Sequence, residues 1–229
     1  MRVLVIDTAL GLCSAAVFAV EGGPAGGVAR ALGLRSEAMA KGHQERLAGL
    51  VRDAAAEAGG FGGLDRIGVT TGPGSFTGLR VGLAFAQGLG AALGLPVVGV
   101  STLDGLAASA GGAGPMAALI DARRGQVYAR FWRDGIAQGP AEALSIEAAR
   151  ARAAALGPDV RLVGSGAALV ADEGAATLDL DGPAPEALAR LAAAADPATH
   201  PPRPLYLRAP DATPPSRLPG QPRPVAPGA

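Results

Sequence analysis

The chain has 229 residues, 49% of them hydrophobic, and its 20 basic and 20 acidic side chains cancel, so it can bury a sizeable core and has no global electrostatic case for binding nucleic acid. A single cysteine, Cys13, excludes an internal disulfide and a cysteine zinc cluster. Two histidines, His43 and His200, exclude a multi-histidine metal site in one copy, and the absence of Asn excludes a glycosylation sequon.

In chain order, residues 2–6 form a β-branched and aliphatic run that predicts a central strand ending at Asp7-Thr8. The start is too short in apolar residues for a signal peptide, so a soluble, cytoplasmic protein is expected. Gly11 supplies a turn, residues 14–20 return as a second strand, and Gly22-Gly23-Pro24 turns into a weaker strand near 27–32. Residues 43–58 then place Leu47, Leu50, Val51, Ala54 and Ala58 on one face of an amphipathic helix, stopped by Gly59-Gly60.

The densest signal lies in residues 67–107. Residues 67–70 read as a buried strand entering the tight turn Gly72-Pro73-Gly74, and Ser75 caps a helix that Gly94 and Pro96 end. Small residues recur at every fourth position, Gly78, Gly82, Ala86, Gly90 and Gly94, along one helix face. Glycine inside a helix costs roughly 1 kcal/mol relative to alanine. The stripe therefore predicts a close backbone approach, by a partner's helix or by the chain's own sheet.

Sharper readings of this stretch fail. A phosphate-cradling loop needs Lys after its last glycine, and the chain's one Lys, Lys41, lies elsewhere. The dinucleotide fingerprint needs glycine where Thr77 stands. Residues 81–100 are uncharged and long enough for a membrane span, but Gly94-Leu95-Pro96 divides them, so none is expected.

Ser101 and Asp104 form a capping box opening a short helix, and residues 110–114 collapse to Ala and Gly, a predicted hinge. Residues 116–121 and 126–132 read as strands around a turn. Here VIDTALG of the first half is echoed by LIDARRG, each with Asp at a strand end and Gly four residues later, which suggests two related α/β halves. Ser145 caps a helix ending before Gly157-Pro158, residues 160–163 form a strand, and Pro185 opens a final helix. Residues 205–207 are an edge strand or an extended docking segment. Residues 209–229 are rich in Pro, Gly and small side chains and read as a disordered tail. The predicted domains are 1–110, 115–208 and this tail.

GPGSFTGLRVGLAFAQGL followed by GVSTL resembles the bacterial TsaB (YeaZ) family of tRNA threonylcarbamoyladenosine biosynthesis proteins, through Gly72, Gly74, Ser75, Phe76, Thr77, Gly78 and Arg80. VIDTA, GHQERL, IDARRGQVYA and PLYLR extend the resemblance over nearly all of residues 1–208. It implies an actin-like ATPase and sugar-kinase α/β fold with a reduced C-terminal half. It also implies a non-catalytic subunit that pairs with the catalytic subunit TsaD, docks the ATPase TsaE and meets tRNA indirectly. The complex uses ATP, while this chain is expected to hold no cofactor of its own and to form a homodimer when alone. The implied partner interface comprises His43, Leu47, Leu50, Gly78, Gly82, Ala86 and Gly90.

Asp7 and Asp121 occupy the strand ends that cradle phosphates in that superfamily, and either could keep a nucleotide contact or simply cap its own turn. TsaD, which resembles this chain through the same helix, carries a metal-binding His pair where alignment on residues 96–100 places Thr102 and Leu106. Leu106 cannot ligate a metal, so neither transferase nor peptidase chemistry is expected. A small-molecule kinase of the same fold is the alternative reading.

Overall fold

The computed structural model describes residues 1–22, 27–39 and 42–208. The turn expected at Gly23-Pro24, Lys41 and the tail 209–229 lie outside them.

The first half is built on β1 (Arg2–Asp7), whose residues are apolar on both faces. Such a strand belongs in the middle of a sheet covered on both sides. It pairs antiparallel with β2 (Leu12–Glu21), which pairs with the edge strand β3 (Val28–Ala38), and it pairs parallel with β4 (Arg66–Gly72), followed by β5 (Val97–Ser101), giving the order β3-β2-β1-β4-β5. The strand expected near 27–32 thus runs on to Ala38. Arg35 and Glu37, on its side facing α1 (His43–Glu57), are charged and pair with Glu57 and Arg46, and the alternation is hidden because an edge strand faces water on much of its length. Helices α1 and α2 (Phe76–Leu93) cover the face carrying Leu4, Ile6, Ala15 and Val17.

The second half repeats the plan. The hairpin β6 (Met116–Arg123) and β7 (Gln126–Arg133) is flanked by β8 (Ile136–Ala137) and β9 (Glu142–Ser145) on one side. On the other side β10 (Arg161–Val163) and β11 (Ala176–Leu178) run parallel to β6. Helices α4 (Ile146–Ala154) and α5 (Ala167–Val170) cover the face of Ala117, Leu119, Val127 and Phe131. Each half therefore runs strand-hairpin, helix, strand, helix, strand, helix. This is the actin-like α/β arrangement, with the second half reduced.

The third helix of each half completes the other half's core. Helix α3 (Thr102–Ala110) sends Leu103 and Leu106 against Met116, Ala118 and Ile120. Helix α6 (Pro185–Ala194) sends Leu188, Ala189 and Ala192 against Val3, Val5, Val98 and Val100 of the first sheet. Arg66 at the start of β4 donates to the carbonyls of Ala192 and Ala195 at 2.9 and 2.5 Å, a cation seated at the negative end of α6. The approach is close: a Cβ on Gly68 would lie 2.5 Å from that of Ala192.

The predicted caps form. Ser75, Ser101 and Ser145 accept from the backbone N–H groups of Gly78, Asp104 and Ala148, three residues on in each case. By length and composition α2 is the one described helix able to cross a membrane, yet its glycine face is buried under its own sheet. Residues 205–207 form no strand. They dock as an extended segment, with Leu205 N–H donating to Thr71 at 2.8 Å.

Candidate functional site

A cleft of about 630 Å³ separates the halves, lined by Ala9, Gly11, Gly74 and Ser75 on one side and by Asp121, Arg123, Tyr128, Ser165 and Asp181 on the other. Asp7, two residues before Ala9, is buried beside the cleft and does not line it. The carboxyl is 1% exposed; Oδ1 accepts from Ala9 N–H at 2.9 Å and from the Thr70 hydroxyl at 2.7 Å, while Oδ2 has no partner. Gly182 closes over that unpartnered oxygen, and Gly11 N–H donates to the Asp181 carbonyl at 3.2 Å, tying the β1–β2 turn to the second half. Burial raises the Asp7 pKa above its ordinary value, against the pull of those hydrogen bonds. The same burial, with Asp7 and Glu37 nearby, pushes the Cys13 thiol up to about 11, so it stays a protonated, inert core group.

Asp121 also accepts from the backbone N–H two residues on, that of Arg123 at 2.7 Å, and is ion-paired with the Arg123 guanidinium at 3.0 Å. Its own N–H donates to Ser165 at 3.2 Å, at the start of α5. Both strand-end aspartates are thus occupied with their own turns. A metal-bound triphosphate needs charged, available carboxylates. One that burial drives toward its neutral form and one already paired with Arg are a poor fit to that chemistry.

The sequence echo that aligns Asp7 with Asp121 pairs residues on opposite faces. Ile6 faces α1 and α2, whereas Ile120 faces α3. Those faces are not equivalent under the repeat, because α1 and α2 correspond to α4 and α5. A slip of one residue along a strand reverses every side chain. The duplication of the fold is real, but the seven aligned letters are one residue out of its register.

The expected partner interface needs correction. His43, Leu47 and Leu50 are 7%, 1% and 4% exposed, and Gly78, Gly82, Ala86 and Gly90 are buried as well. A Cβ on Gly78 would lie 2.1 Å from the Thr8 carbonyl oxygen, one on Gly82 2.3 Å from the Thr8 hydroxyl, and one on Gly90 2.3 Å from a Val97 methyl. The Thr8 hydroxyl donates to the Gly78 carbonyl at 2.8 Å, and Ser75 N–H donates to Ala9 at 2.7 Å. From Gly78 to Gly90 the stripe is covered by the loop after β1 and the neighbouring strands, while Gly94, its last member, is the exposed C-cap of α2. What α1 and α2 leave exposed is their other side, including Ala48, Arg52, Ala84, Gln87 and Ala91.

Of the motif residues, Phe76, Thr77 and Arg80 are exposed, and Gly72 (φ 106°) turns the chain before α2. Thr102 and Leu106, both in α3, are fully buried. Arg130 is not singled out by the sequence, and Asp104 reads there only as half of a capping box; its carboxylate instead pairs with Arg130 at 2.5 and 2.7 Å and joins the halves. Burial raises the Asp104 pKa in spite of Arg130. The cover that Asp181 and Gly182 place over Asp7 is likewise not read from the sequence.

The solved structure of YeaZ from Pseudomonas aeruginosa superposes with a TM-score of 0.70 at 30% identity, over 90% of this chain and 99% of that one. The chain belongs to the TsaB (YeaZ) family. A sequence relative of that name, the tRNA threonylcarbamoyladenosine biosynthesis protein TsaB of Escherichia coli, is 37% identical over 139 residues, 58% of this chain and 56% of that protein. An uncharacterized protein of Mycobacterium leprae is 42% identical over 141 residues, 61% of this chain and 38% of that protein. The chain therefore spans less than two thirds of either sequence relative. The model of the related family, TsaD: tRNA N6-adenosine threonylcarbamoyltransferase, matches residues 28–135. Those residues run from β3 through α1, α2 and α3 to the β7–β8 turn, so this chain is similar to TsaD over most of its first half and the opening of its second.

Proposed function

We propose that the chain is a non-catalytic subunit in the synthesis of N6-threonylcarbamoyladenosine in tRNA, pairing with TsaD and offering a docking surface to the ATPase TsaE. The observation that carries this reading is the match to YeaZ along 99% of that chain; it is supported by Thr102 and Leu106, both buried, which the family resemblance sets where TsaD carries its metal pair. A buried leucine supplies no ligand, and the strand-end aspartates Asp7 and Asp121 each accept from the backbone N–H two residues on in their own turns. In this reading TsaD carries the transfer chemistry, and the complex's ATP is used by TsaE.

The exposed sides of α1 and α2 then pair with TsaD, or with a second copy of this chain when TsaD is absent. An effect on TsaD without chemistry of its own requires this chain to bind one TsaD conformation better than another, since only differential affinity shifts an equilibrium. Depleting the protein in its host should strip threonylcarbamoyladenosine from bulk tRNA while the donor threonylcarbamoyl-adenylate is still made. Mass spectrometry of tRNA nucleosides before and after depletion is the measurement, and unchanged modification would end this assignment.

A further inference from the structure

We propose that residues 196–208 are a clasp across the cleft: they hold its two walls at one separation, and release of either end lets the cleft open. The inference goes beyond the pairing with TsaD and does not depend on it.

The segment leaves α6 with four prolines in eight residues, Pro197, Pro201, Pro202 and Pro204. Proline has no N–H and a fixed φ, so such a run forms neither helix nor ladder and stays stiff and extended. It attaches to the first half mainly through its carbonyls. That of His200 accepts from Gly99 N–H of β5 at 2.8 Å, and that of Pro202 accepts from the Gln87 side-chain amide of α2 at 2.7 Å. A Cβ on Gly99 would lie 2.7 Å from the Pro201 carbonyl oxygen, so the chain lies directly on the edge of the first sheet.

Its last four residues join the walls. Leu205 N–H donates to the Thr71 carbonyl at 2.8 Å, near the end of β4, and the Tyr206 hydroxyl accepts from Arg80 Nε at 3.2 Å. The Tyr206 and Phe76 ring centroids are 5.4 Å apart, and the Arg80 guanidinium stacks 3.7 Å over Phe76. Arg208 then donates to the Ala122 carbonyl of β6 at 2.9 Å, and Ala122 lines the cleft on the side of the second half. From residue 205 to residue 208 the backbone reaches at most about 10 Å. The link has little slack, so the walls part when one anchor lets go.

The exchanged helices α3 and α6 and the Asp104–Arg130 pair also join the halves, but none of them lines the cleft. They form the base on which its walls turn. At the mouth the clasp is accompanied by the single Gly11–Asp181 bond, at 3.2 Å. Tyr206 and Phe76 are 45% and 48% exposed, so the anchor on the first half is open to anything that seats on the start of α2. Hydrogen bonds at such a surface are individually weak, and the clasp can release without either half unfolding.

The test uses the full-length protein carrying Ser36→Cys and Ala168→Cys, each exposed, for spin labels. Residue 36 stands opposite Ser14 at the cleft end of the first sheet, and residue 168 lies in α5, just after Ser165 of the cleft lining. Cys13 is buried and stays unlabelled. Pulsed double electron resonance should give one narrow distance distribution. Leu205→Pro/Tyr206→Ala removes the anchor on the first half and keeps Arg208; Arg208→Ala removes the other anchor. Each should move the distribution to longer distance and broaden it, by the same amount, because a strap cut at either end frees the same motion. Arg203→Ala, exposed in the same segment, should change nothing. Circular dichroism establishes that each variant is folded, and Tyr206→Ala alone supplies the first cut if the double variant is not. An unchanged distribution in both cuts overturns the clasp, as does a broad one in the parent protein. A shift in one cut alone also overturns it, since that residue then serves only its own half.

Discussion

The two halves follow one plan at different scales. Their hairpins are alike, six and ten residues in β1 and β2 against eight and eight in β6 and β7. The crossover parts are not. Helix α2 has 18 residues and its counterpart α5 has four, while β4 and β5 have seven and five against three each in β10 and β11. What the second half keeps is the part that lines the cleft and seats α3; what it loses is outer cover. The loss is tolerable because each sheet's inner face is completed by the other half's last helix. The halves therefore form one cooperative unit, and the small half need not hold a core by itself.

The largest test of this difference is Gly78→Leu. With the Thr8 carbonyl 2.1 Å from where a Cβ would be, the loop after β1 and α2 must separate, and little or no soluble folded protein is expected on expression. The equivalent region of the second half should be more forgiving. At Gly166 the nearest contacts of an added Cβ are 3.1 Å, so Gly166→Ala should lower stability by about 1–3 kcal/mol in chemical unfolding.

Exchange of the last helices is tested next. Leu188→Ala, in α6, should cost about 2–5 kcal/mol. Hydrogen exchange should rise in β1 and β4 of the first sheet rather than in β10 or β11, although residue 188 belongs to the second half by sequence. A fall in protection confined to the second sheet would break the comparison.

Asp104→Ala removes the ion pair between the halves and leaves the half-buried Arg130 without its carboxylate. A loss of about 1.5–3 kcal/mol is expected, the range for a hydrogen-bonded charged group, and Asp104→Glu should recover part of it.

The pH dependence of Asp7 is a smaller effect. Its folded pKa is raised, so above the ordinary value of 3.8 the unfolded chain ionises while the folded one keeps its proton. The unfolded state then binds fewer protons, and stability falls as pH rises through that window. Thermal melts of Asp7→Asn should show a shallower fall over the same range; parallel curves would mean that Asp7 is not the group responsible. The smallest effect is expected at Gly88, exposed in the middle of α2 with nothing within 4 Å of an added Cβ. Gly88→Ala should raise stability by about 0.5–1 kcal/mol, the reverse of Gly78 on the same helix.

That pair of glycines shows what could be read in advance. Caps, turns and the runs that became β1, β4, β6 and α2 were legible because they depend on neighbours within four residues. The glycine stripe announced that something approaches α2 closely, yet spacing cannot say whose backbone it is. Only the fold shows the Thr8 loop there, and so turns the predicted partner face inward. The echo of VIDTALG and LIDARRG told truly of duplication and misled about register, because letters carry no face and a one-residue slip exchanges core for core. The short elements α5 and β11 escaped notice for want of length, since three or four residues hold no period.

The sequence by itself determined the local chemistry: which residues start and stop each element, which strand is apolar on both faces, and the family motif around Gly74 and Ser75. Tertiary structure alone decided the long-range pairings, Asp104 with Arg130, Asp181 and Gly182 over Asp7, and Phe76 with Tyr206. Their partners lie 26 to 175 positions apart. No local propensity reaches that far. Such contacts exist only after two sheets have exchanged helices and brought distant turns to the mouth of one cleft.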